Sequence, residues 1–231
     1  MSLPEHLSQE KATGLHPNEP VAQFEVGSYR NFVYLVLDWE TKKAALIDPH
    51  SGLRAVLESL ETHGFVLSAI LLTHTHFDHI SGLPELGELH PQIPVYVHPQ
   101  DAHRLKGDAT TKLQIKNLQD LQRIELGSLQ IQALHTPGHS AGECCFFLNS
   151  SGPYLFTGDT IFIRDCGRTD LESGSDQELF ESIQRIKTLP LETVILPGHH
   201  YQKESASTLQ TELRESPPFQ CKTVNELSEL P

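Results

Sequence analysis

Apolar positions in the first half of the chain alternate between strand-like and helix-like spacing. Short β-rich runs lie at Ala22–Val26, Phe32–Asp38 and Lys43–Asp48. A turn at Glu40-Thr41 between the last two runs indicates a hairpin. From Ser51 to His63, apolar residues recur every three or four positions, which predicts an amphipathic helix. The run Leu67–Thr73 is almost wholly apolar, as expected of a buried central strand.

The second half repeats this mixture of strand-like and helical segments. Strands are predicted at Arg123–Leu134, Glu143–Leu148, Tyr154–Thr157 and Thr193–Leu196. Helical spacing covers Ser175–Thr188, and Ser175 with Glu178 has the sequence pattern of a capping box. A last helix is predicted over Glu204–Leu213, and the prolines of Ser216-Pro217-Pro218 end it.

The order of these segments predicts a mixed fold, of α/β (α+β) class. Two sets of strands with helices between them fit two sheets that pack face to face, with the helices outside. Residues 1–20 are polar and punctuated by proline and glycine, which predicts an N-terminal arm. The remaining residues, 21–231, are expected to form a single domain, for which the length is sufficient.

Composition narrows the classes of function. Hydrophobic residues make up 38% and charged residues 20% of the chain, as in soluble globular proteins. The formal net charge of −13 would repel a phosphate backbone, which argues against nucleic acid as a partner. No apolar segment resembles a signal peptide or a membrane span, so we expect no membrane contact and a cytoplasmic location. Four cysteines without a CxxC pair favour reduced thiols.

The strongest chemical signal follows the predicted strand Leu67–Thr73. His74, His76, Asp78 and His79 stand within six residues. Side chains alternate along extended backbone, so His74 and His76 converge on one ion, and a turn after them directs Asp78 and His79 to a neighbouring point. Four such side chains at the end of a buried strand are costly to desolvate without a purpose. The pattern therefore predicts a metal site rather than a polar loop that happens to be rich in histidine.

Further ligands are expected from other strand ends, because a metal site needs three or more protein groups for each ion. His139, Asp159 and His199 each follow a glycine at or near the end of a predicted strand. One such residue alone is more typical of a turn. Together the three form a consistent set with the first motif.

The sequence His74-x-His76-x-Asp78-His79, followed by His139, Asp159 and His199, resembles the ligand pattern of the metallo-β-lactamase superfamily. The resemblance extends from about Ala22 to Tyr201 and implies an αββα sandwich with metal ions at one edge of the sheets. The implied ligands are His74, His76 and His139 for a first ion, Asp78, His79 and His199 for a second, and Asp159 as the bridge. Asp48 resembles an aspartate near the family's site that orients a ligand; the alternative is a turn residue before proline.

The implied cofactor is one or two divalent metal ions, zinc first, with iron or manganese as alternatives. Metal binding lowers the pKa of water from about 16 to about 7, and the resulting hydroxide can attack a carbonyl. Asp78 and Asp159 are the predicted catalytic carboxylates. A thiolate leaves easily because the pKa of a thiol is about 8.5, and the motifs show no extra acid to protonate an amine. We therefore expect a metal-dependent hydrolase of thioesters.

The segment from Gly158 to Asp170 resembles two groups within the superfamily. Glyoxalase II and its shorter relatives hydrolyse glutathione thioesters, and persulfide dioxygenases oxidise glutathione persulfide with one iron. The first group implies hydrolysis of a thioester of glutathione or a similar thiol. The second is the alternative, with iron on His74, His139 and Asp159, a two-histidine, one-carboxylate set. A lactonase or other ester hydrolase is a more distant alternative, and a non-catalytic module would be expected to have lost ligands.

Two residues are predicted to bind the substrate. The planar guanidinium of Arg168 suits a carboxylate; the alternative is a structural ion pair with Asp165 or Asp170. Tyr201 resembles a tyrosine that donates a hydrogen bond to the substrate in related hydrolases; the alternative is packing at the sheet edge. The expected partner is a small thiol-linked molecule, and a homodimer remains open.

The other candidate residues are assigned to supporting positions. Cys166 is expected to line the site loop, and Cys144 and Cys145 to point to opposite faces of a strand. Several histidines are expected on the surface or around the ligands, namely His50, His98, His103, His135 and His200.

Overall fold

The structure, a computed structural model, describes residues 15–105 and 111–230. Most of the predicted N-terminal arm, residues 1–14, lies outside the described residues. The division into an arm and one domain stays a prediction.

Fourteen strands and eight helices alternate along the described chain. The strands are β1 (Val21–Val26), β2 (Asn31–Asp38), β3 (Lys43–Ile47), β4 (Val66–Leu71), β5 (Pro94–Val97), β6 (Gln114–Asn117), β7 (Arg123–Leu126), β8 (Leu129–His135), β9 (Cys144–Asn149), β10 (Pro153–Gly158), β11 (Ile161–Phe162), β12 (Asp165–Cys166), β13 (Val194–Pro197) and β14 (Ser207–Thr208). The helices are α1 (Arg54–Thr62), α2 (Phe77–Ile80), α3 (Leu83–Leu89), α4 (Pro99–Ala102), α5 (Asp176–Ile186), α6 (Leu209–Glu215), α7 (Pro217–Gln220) and α8 (Val224–Ser228).

Two six-stranded sheets form the centre of the molecule. The first has the order β1-β2-β3-β4-β5-β6, and the second has the order β14-β13-β10-β9-β8-β7. Most neighbouring strands are antiparallel, such as β2 with β3, but β3 with β4 and β10 with β13 run parallel, each pair joined by a connection that contains a helix. Strands β11 and β12 form a separate two-stranded ribbon.

Three apolar clusters separate four layers. One lies between the two sheets and contains Tyr34 of the first sheet and Phe156 of the second, whose rings meet edge to face at 5.1 Å. The second packs helices α1 and α3 on the outer face of the first sheet. The third packs α5 and the C-terminal helices on the outer face of the second sheet. This arrangement confirms the predicted αββα sandwich.

Backbone hydrogen bonds join the two sheets at one edge. The N–H of Cys144, which begins β9, donates to the carbonyl of Thr73, which follows β4, at 2.8 Å. The N–H of Phe32 in β2 donates to the carbonyl of Gly198, which follows β13, also at 2.8 Å. These bonds fix the relative position of the strand ends where the predicted metal ligands lie.

Several predicted boundaries need correction. The first helix begins at Arg54 rather than Ser51, because Gly52 has a φ of +101° that a helix does not allow. The predicted strand Arg123–Leu134 is two strands with a turn at Gly127. The C-terminal helix begins at Leu209 rather than Glu204, since Ser207 and Thr208 pair with β13 instead.

Strands β5 and β6 were not predicted, because both are short and all four residues of β6 are exposed. Of the two hydrogen bonds in the predicted capping box of α5, one is present. The Ser175 hydroxyl accepts from the N–H of Glu178, but the N–H of Ser175 donates to the carbonyl of Gly138 at 2.8 Å rather than to Glu178. No helix among the described residues is long and apolar enough to cross a membrane.

Candidate metal centre

The predicted ligands meet where strands of the two sheets end. His74 and His76 follow β4, and the short helix α2 carries Asp78 and His79. The loop after β8 contributes His139, and Asp159 and His199 lie directly beyond or near the ends of β10 and β13. The fold therefore brings together residues that are up to 125 positions apart in the sequence, as His74 and His199 show.

His74, His76 and His139 form the first donor group, with one ring nitrogen of each lying within 4.8 Å of the others. His76 Nδ1 and His139 Nε2 face each other at 2.9 Å. The Nε2 atom of the fully buried His74 has no hydrogen-bond partner among the described residues. Facing lone pairs and an orphaned buried nitrogen fit a bound cation, because buried polar atoms otherwise find partners.

Asp78, His79 and His199 form the second donor group, again within 4.8 Å. His79 Nε2 lies 3.1 Å from His199 Nε2, and Asp78 Oδ2 lies 3.4 Å from the same atom of His199. Two imidazoles and a carboxylate suit zinc, iron or manganese equally.

Asp159 lies between the two groups. Its Oδ2 atom is 3.6 Å from His139 Nε2 and 3.4 Å from His199 Nε2, and its Oδ1 atom is 3.4 Å from His79 Nε2. Asp159 Oδ1 accepts no hydrogen bond from the described residues. This position fits a carboxylate that bridges two ions, although the ligand roles of all seven residues stay predictions.

Burial and mutual repulsion set the protonation of the donors. Burial, together with the neighbouring His139, lowers the pKa of His76 to about 4, so the ring is neutral at physiological pH. Burial is the largest single influence on the pKa of His79 and would lower it, but the charges and hydrogen bonds of Asp159 and Asp48 together raise that pKa well above its ordinary value. Burial would raise the pKa of Asp159, but the neighbouring His79, His199 and His74 together hold it well below its ordinary value.

Backbone carbonyls hold two of the imidazole rings from behind. His139 Nδ1 lies 2.8 Å from the carbonyl oxygen of Arg168, and His199 Nδ1 lies 2.9 Å from that of Tyr29. Because a carbonyl only accepts, these contacts place the proton on Nδ1 and leave Nε2 free for an ion.

Asp48 is buried behind the centre and has three hydrogen-bond donors. It accepts from the N–H and the hydroxyl of Thr73 at 2.8 and 2.6 Å and from His79 Nδ1 at 3.0 Å. The Thr73 hydroxyl also lies 3.1 Å from His74 Nδ1. Of the two interpretations of Asp48, the geometry supports the residue that orients a ligand.

Sequence reasoning missed two residues of the centre. Asn31, at the start of β2, donates through Nδ2 to Asp78 Oδ2 at 2.9 Å. Glu143 precedes β9 and is fully buried, and burial, then the charge of Asp159, raises its pKa well above the ordinary value. A charged residue at the edge of the apolar run Cys144–Leu148 was the available signal for Glu143; the sequence contained no comparable signal for Asn31.

A cavity of about 580 Å³ opens from the centre, and His139, Asp159, Arg168 and Tyr201 are among its lining residues. The Arg168 guanidinium makes two hydrogen bonds of 2.6 Å to the Asp170 carboxylate, and both side chains are exposed. The observed ion pair is the alternative named for Arg168, and both residues lie at the cavity wall, so substrate binding by Arg168 stays a prediction.

Tyr201 stacks on the predicted ligand His199. The two rings are nearly parallel, with 4.7 Å between their centroids, and Tyr201 is 51% exposed at the cavity. Burial of part of the ring, followed by the charges of Asp159 and Asp78, raises the pKa of Tyr201 to about 12. The hydroxyl therefore keeps its proton at neutral pH and can donate a hydrogen bond.

The cysteines take supporting positions. All four are free thiols, and Cys144 faces the core between the sheets whereas Cys145 faces the helices, as predicted. Cys166 lines the cavity, but burial and then Asp165 raise its pKa to about 12. A protonated thiol is a poor nucleophile, which argues against a reactive role.

The five histidines assigned to supporting positions, His50, His98, His103, His135 and His200, belong to no donor group among the described residues. His98 and His135 stack on each other with 4.0 Å between ring centroids, outside the centre. His200 is buried beside the ligand candidates, where its Nδ1 lies 2.6 Å from Glu25, so it supports the backbone that carries His199.

Comparisons with known proteins agree with this geometry. The chain is 35% identical over 185 residues to a probable hydroxyacylglutathione hydrolase of Schizosaccharomyces pombe, covering 78% of this chain and 68% of that protein. It is 34% identical over 171 residues to the hydroxyacylglutathione hydrolase of Enterobacter sp. (strain 638), covering 74% of this chain and 62% of that protein. The alignment thus spans less than two thirds of the second relative's length.

Solved structures show the same fold. ETHE1 from Myxococcus xanthus superposes with a TM-score of 0.77 at 28% identity, covering 91% of this chain and 92% of that one. TTHA1623, solved in a di-iron-bound form, superposes with a TM-score of 0.72 at 34% identity, covering 84% of this chain and 98% of that one. The sequence profile of the metallo-β-lactamase superfamily matches residues 27–199. This chain therefore belongs to the metallo-β-lactamase superfamily.

Proposed function

We propose that this protein is a metal-dependent hydrolase of thioesters formed by glutathione or a similar small thiol. The observation that carries the proposal is the position of Asp159 between two donor groups at the floor of the cavity. Two curated relatives that are 34 to 35% identical to the chain have the name hydroxyacylglutathione hydrolase.

The donor groups are proposed to hold two divalent ions, with zinc expected and iron or manganese as alternatives. His74, His76 and His139 would hold one ion and Asp78, His79 and His199 the other, with Asp159 shared. Bound there, such ions supply a water of lowered pKa and polarise a carbonyl oxygen. The di-iron form of TTHA1623 supports two ions for a chain of this family.

The protein's own residues then bind and orient the substrate. The thioester carbonyl would lie in the cavity beside Asp159, and Arg168 would exchange Asp170 for a carboxylate of the thiol carrier. The Tyr201 hydroxyl, which keeps its proton, donates a hydrogen bond to the substrate. A thiolate leaves without an acid because its conjugate thiol has a pKa of about 8.5, which favours thioesters over amides.

The direct test is release of thiol from a hydroxyacylglutathione by metal-depleted protein titrated with zinc. The proposal expects activity that rises with zinc and is lost in Asp159→Asn, which removes the shared charge. Asp165→Asn, an exposed carboxylate of the same cavity wall, is the matched control and should retain activity. Absence of thiol release at every loading with zinc, iron(II) or manganese(II) would overturn the proposal.

An iron-dependent glutathione persulfide dioxygenase is the second candidate. The similarity to ETHE1 over 91% of the chain and the segment Cys166–Asp170 favour it. His74, His139 and Asp159 would supply a two-histidine, one-carboxylate set for a single iron. Zinc separates the candidates, because a zinc ion has no redox chemistry and supports only hydrolysis.

A further inference from the structure

Glu143 is a fully buried carboxylate in direct contact with the metal centre. It has no exposed surface, and its Oε1 atom accepts a hydrogen bond of 2.9 Å from the backbone N–H of Asp159. The same oxygen lies 3.5 Å from Nδ1 of His74. Glu143 therefore touches the carboxylate bridge candidate and a ligand candidate of the first group at once.

The space around Glu143 holds the carboxylate in place. A Cβ atom at position 158 would lie 2.5 Å from Glu143 Oε1 and 2.4 Å from Thr73 Oγ1, so only glycine allows the carboxylate to approach the end of β10. Gly158 also has a φ of +50°, which glycine adopts readily. The carboxylate thus occupies a gap between β4, β9 and β10 that matches its shape.

The buried Glu143 carboxyl group has no permanently charged partner among the described residues. Among the described residues, no lysine or arginine forms an ion pair with Glu143, and its Oε2 atom accepts no hydrogen bond. Asp159 has only histidine partners. Buried carboxylates are costly unless a positive charge compensates them, and metal ions beside His74 and Asp159 would provide that charge.

We infer that Glu143 is a positioning residue that fixes the Asp159 backbone and the His74 ring and strengthens metal binding at the group formed by His74, His76 and His139. The inference rests on the proposed metal centre but not on the reaction. Removing such a partner of a metal ligand commonly lowers affinity by about 10- to 100-fold.

The test compares metal affinity in Glu143→Gln and Glu212→Gln. The first keeps the shape and an oxygen acceptor for the N–H of Asp159 and replaces the ionisable carboxyl group by a neutral amide. Glu212 is equally buried, accepts from the backbone N–H of Arg164 at 2.8 Å and contacts no ligand candidate, so it is the matched control. Affinity is read from competition with a chromophoric chelator, and the absorption spectrum of the cobalt(II) protein reports ligand geometry.

We expect Glu143→Gln to bind the ion at His74, His76 and His139 at least about tenfold more weakly, with an altered cobalt spectrum, and Glu212→Gln to match the parent. Glu143→Met, which removes a buried charge at similar volume, should bind metal more weakly while the metal-free protein unfolds at the same or a higher temperature. A purely structural role would lower metal affinity and stability together.

Two results would overturn the inference. One is a Glu143→Gln protein with the parent's affinity and spectrum; the other is an equal loss of affinity in Glu212→Gln. A parent protein that binds no ion would overturn the metal centre as well, whereas normal metal binding without thioester hydrolysis would overturn only the proposed function.

Discussion

The Asp48 carboxylate lies 3.0 Å from Nδ1 of His79, on the side of the ring that faces away from the other ligand candidates. Asp48→Asn is a clean test of this contact, because the φ of +52° at Asp48 is one that asparagine tolerates. We expect the ion at Asp78, His79 and His199 to bind about 10- to 100-fold more weakly. Metal content after dialysis measures this, with the exposed Asp120→Asn as control; full retention of both ions by Asp48→Asn would contradict the prediction.

Gly198 allows Asp159 to reach the centre. A Cβ atom at position 198 would lie 2.4 Å from Asp159 Oδ1, so Gly198→Ala must displace that carboxylate. We expect loss of metal binding and of thioester hydrolysis. Gly152→Ala is the control, because no atom lies within 4 Å of the added Cβ. Unchanged metal stoichiometry in Gly198→Ala would show that metal binding does not require Asp159 in its observed position.

Substitutions of Arg168 and Asp170 distinguish an effect on substrate binding from an effect on protein stability. Solvent screens an exposed ion pair, which contributes little to stability, so Arg168→Gln should leave the melting temperature nearly unchanged. If Arg168 binds the carboxylate of the thiol carrier, KM for glutathione thioesters rises about tenfold or more while kcat changes little. Asp170→Asn frees Arg168 and should not raise KM. Equal effects of the two substitutions would instead assign Arg168 to the loop structure.

Tyr201→Phe removes the hydroxyl and keeps the ring that stacks on His199. We expect unchanged metal content and a fall in kcat/KM of about tenfold, the loss of one hydrogen bond of roughly 1.4 kcal/mol. Because the pKa of Tyr201 is about 12, the parent and variant should have pH profiles of the same shape below pH 10. A parent profile that breaks in this range and a variant profile that does not would contradict the assignment of Tyr201 as a permanently protonated donor.

Asp38 is the last residue of β2, the strand that begins at Asn31, and it joins the two sheets. Its carboxylate accepts from the N–H of Ser128 at 2.7 Å and from the Ser128 hydroxyl at 3.0 Å. Burial alone would raise the pKa of Asp38, but hydrogen bonds from Thr41 and Ser128 outweigh it and hold the pKa below its ordinary value. The ionised form therefore stabilises the folded state.

Asp38→Asn should lower the free energy of unfolding by roughly 1 to 3 kcal/mol at neutral pH. A carboxyl group whose pKa is lowered on folding stabilises the protein fully above its pKa in the unfolded state, which is about 4. This stabilisation is lost as the pH falls through the pKa in the folded state. The free energies of unfolding of parent and variant, measured with urea, should therefore converge below about pH 4. A difference that is constant with pH would exclude the carboxylate charge as its cause.

The layers of the fold followed from local patterns in the sequence. The apolar run that ends at Thr73 and the helical spacing of α5 could be read from neighbouring residues alone. Strand β6 could not, because its four exposed residues have no apolar alternation and form a strand only by pairing with β5. The two-residue strands β11 and β12 are likewise set by contacts with the rest of the fold.

The metal centre likewise has residues that the local sequence predicts and residues that only contacts in the folded protein identify. The seven ligand candidates are all histidine or aspartate and lie at or near strand ends, and four of them stand within six residues, so the sequence alone identified them as candidates. Asn31 acts on Asp78 from 47 positions away, and Glu143 acts on Asp159 from 16 positions away. A charged residue beside an apolar run singles out Glu143 only weakly and nothing singles out Asn31, so the folded geometry is needed to reveal which residues they contact.

The central claim is that this centre hydrolyses thioesters. The most direct test uses one preparation, depleted of metal and reloaded with iron(II) without oxygen, and divides it between two assays. One portion receives a hydroxyacylglutathione and release of thiol is followed; the other receives glutathione persulfide and oxygen uptake is followed. The account predicts metal-dependent thiol release and no oxygen uptake above that of the metal-free protein. Rapid oxygen uptake without thiol release would contradict it and identify the protein as a dioxygenase.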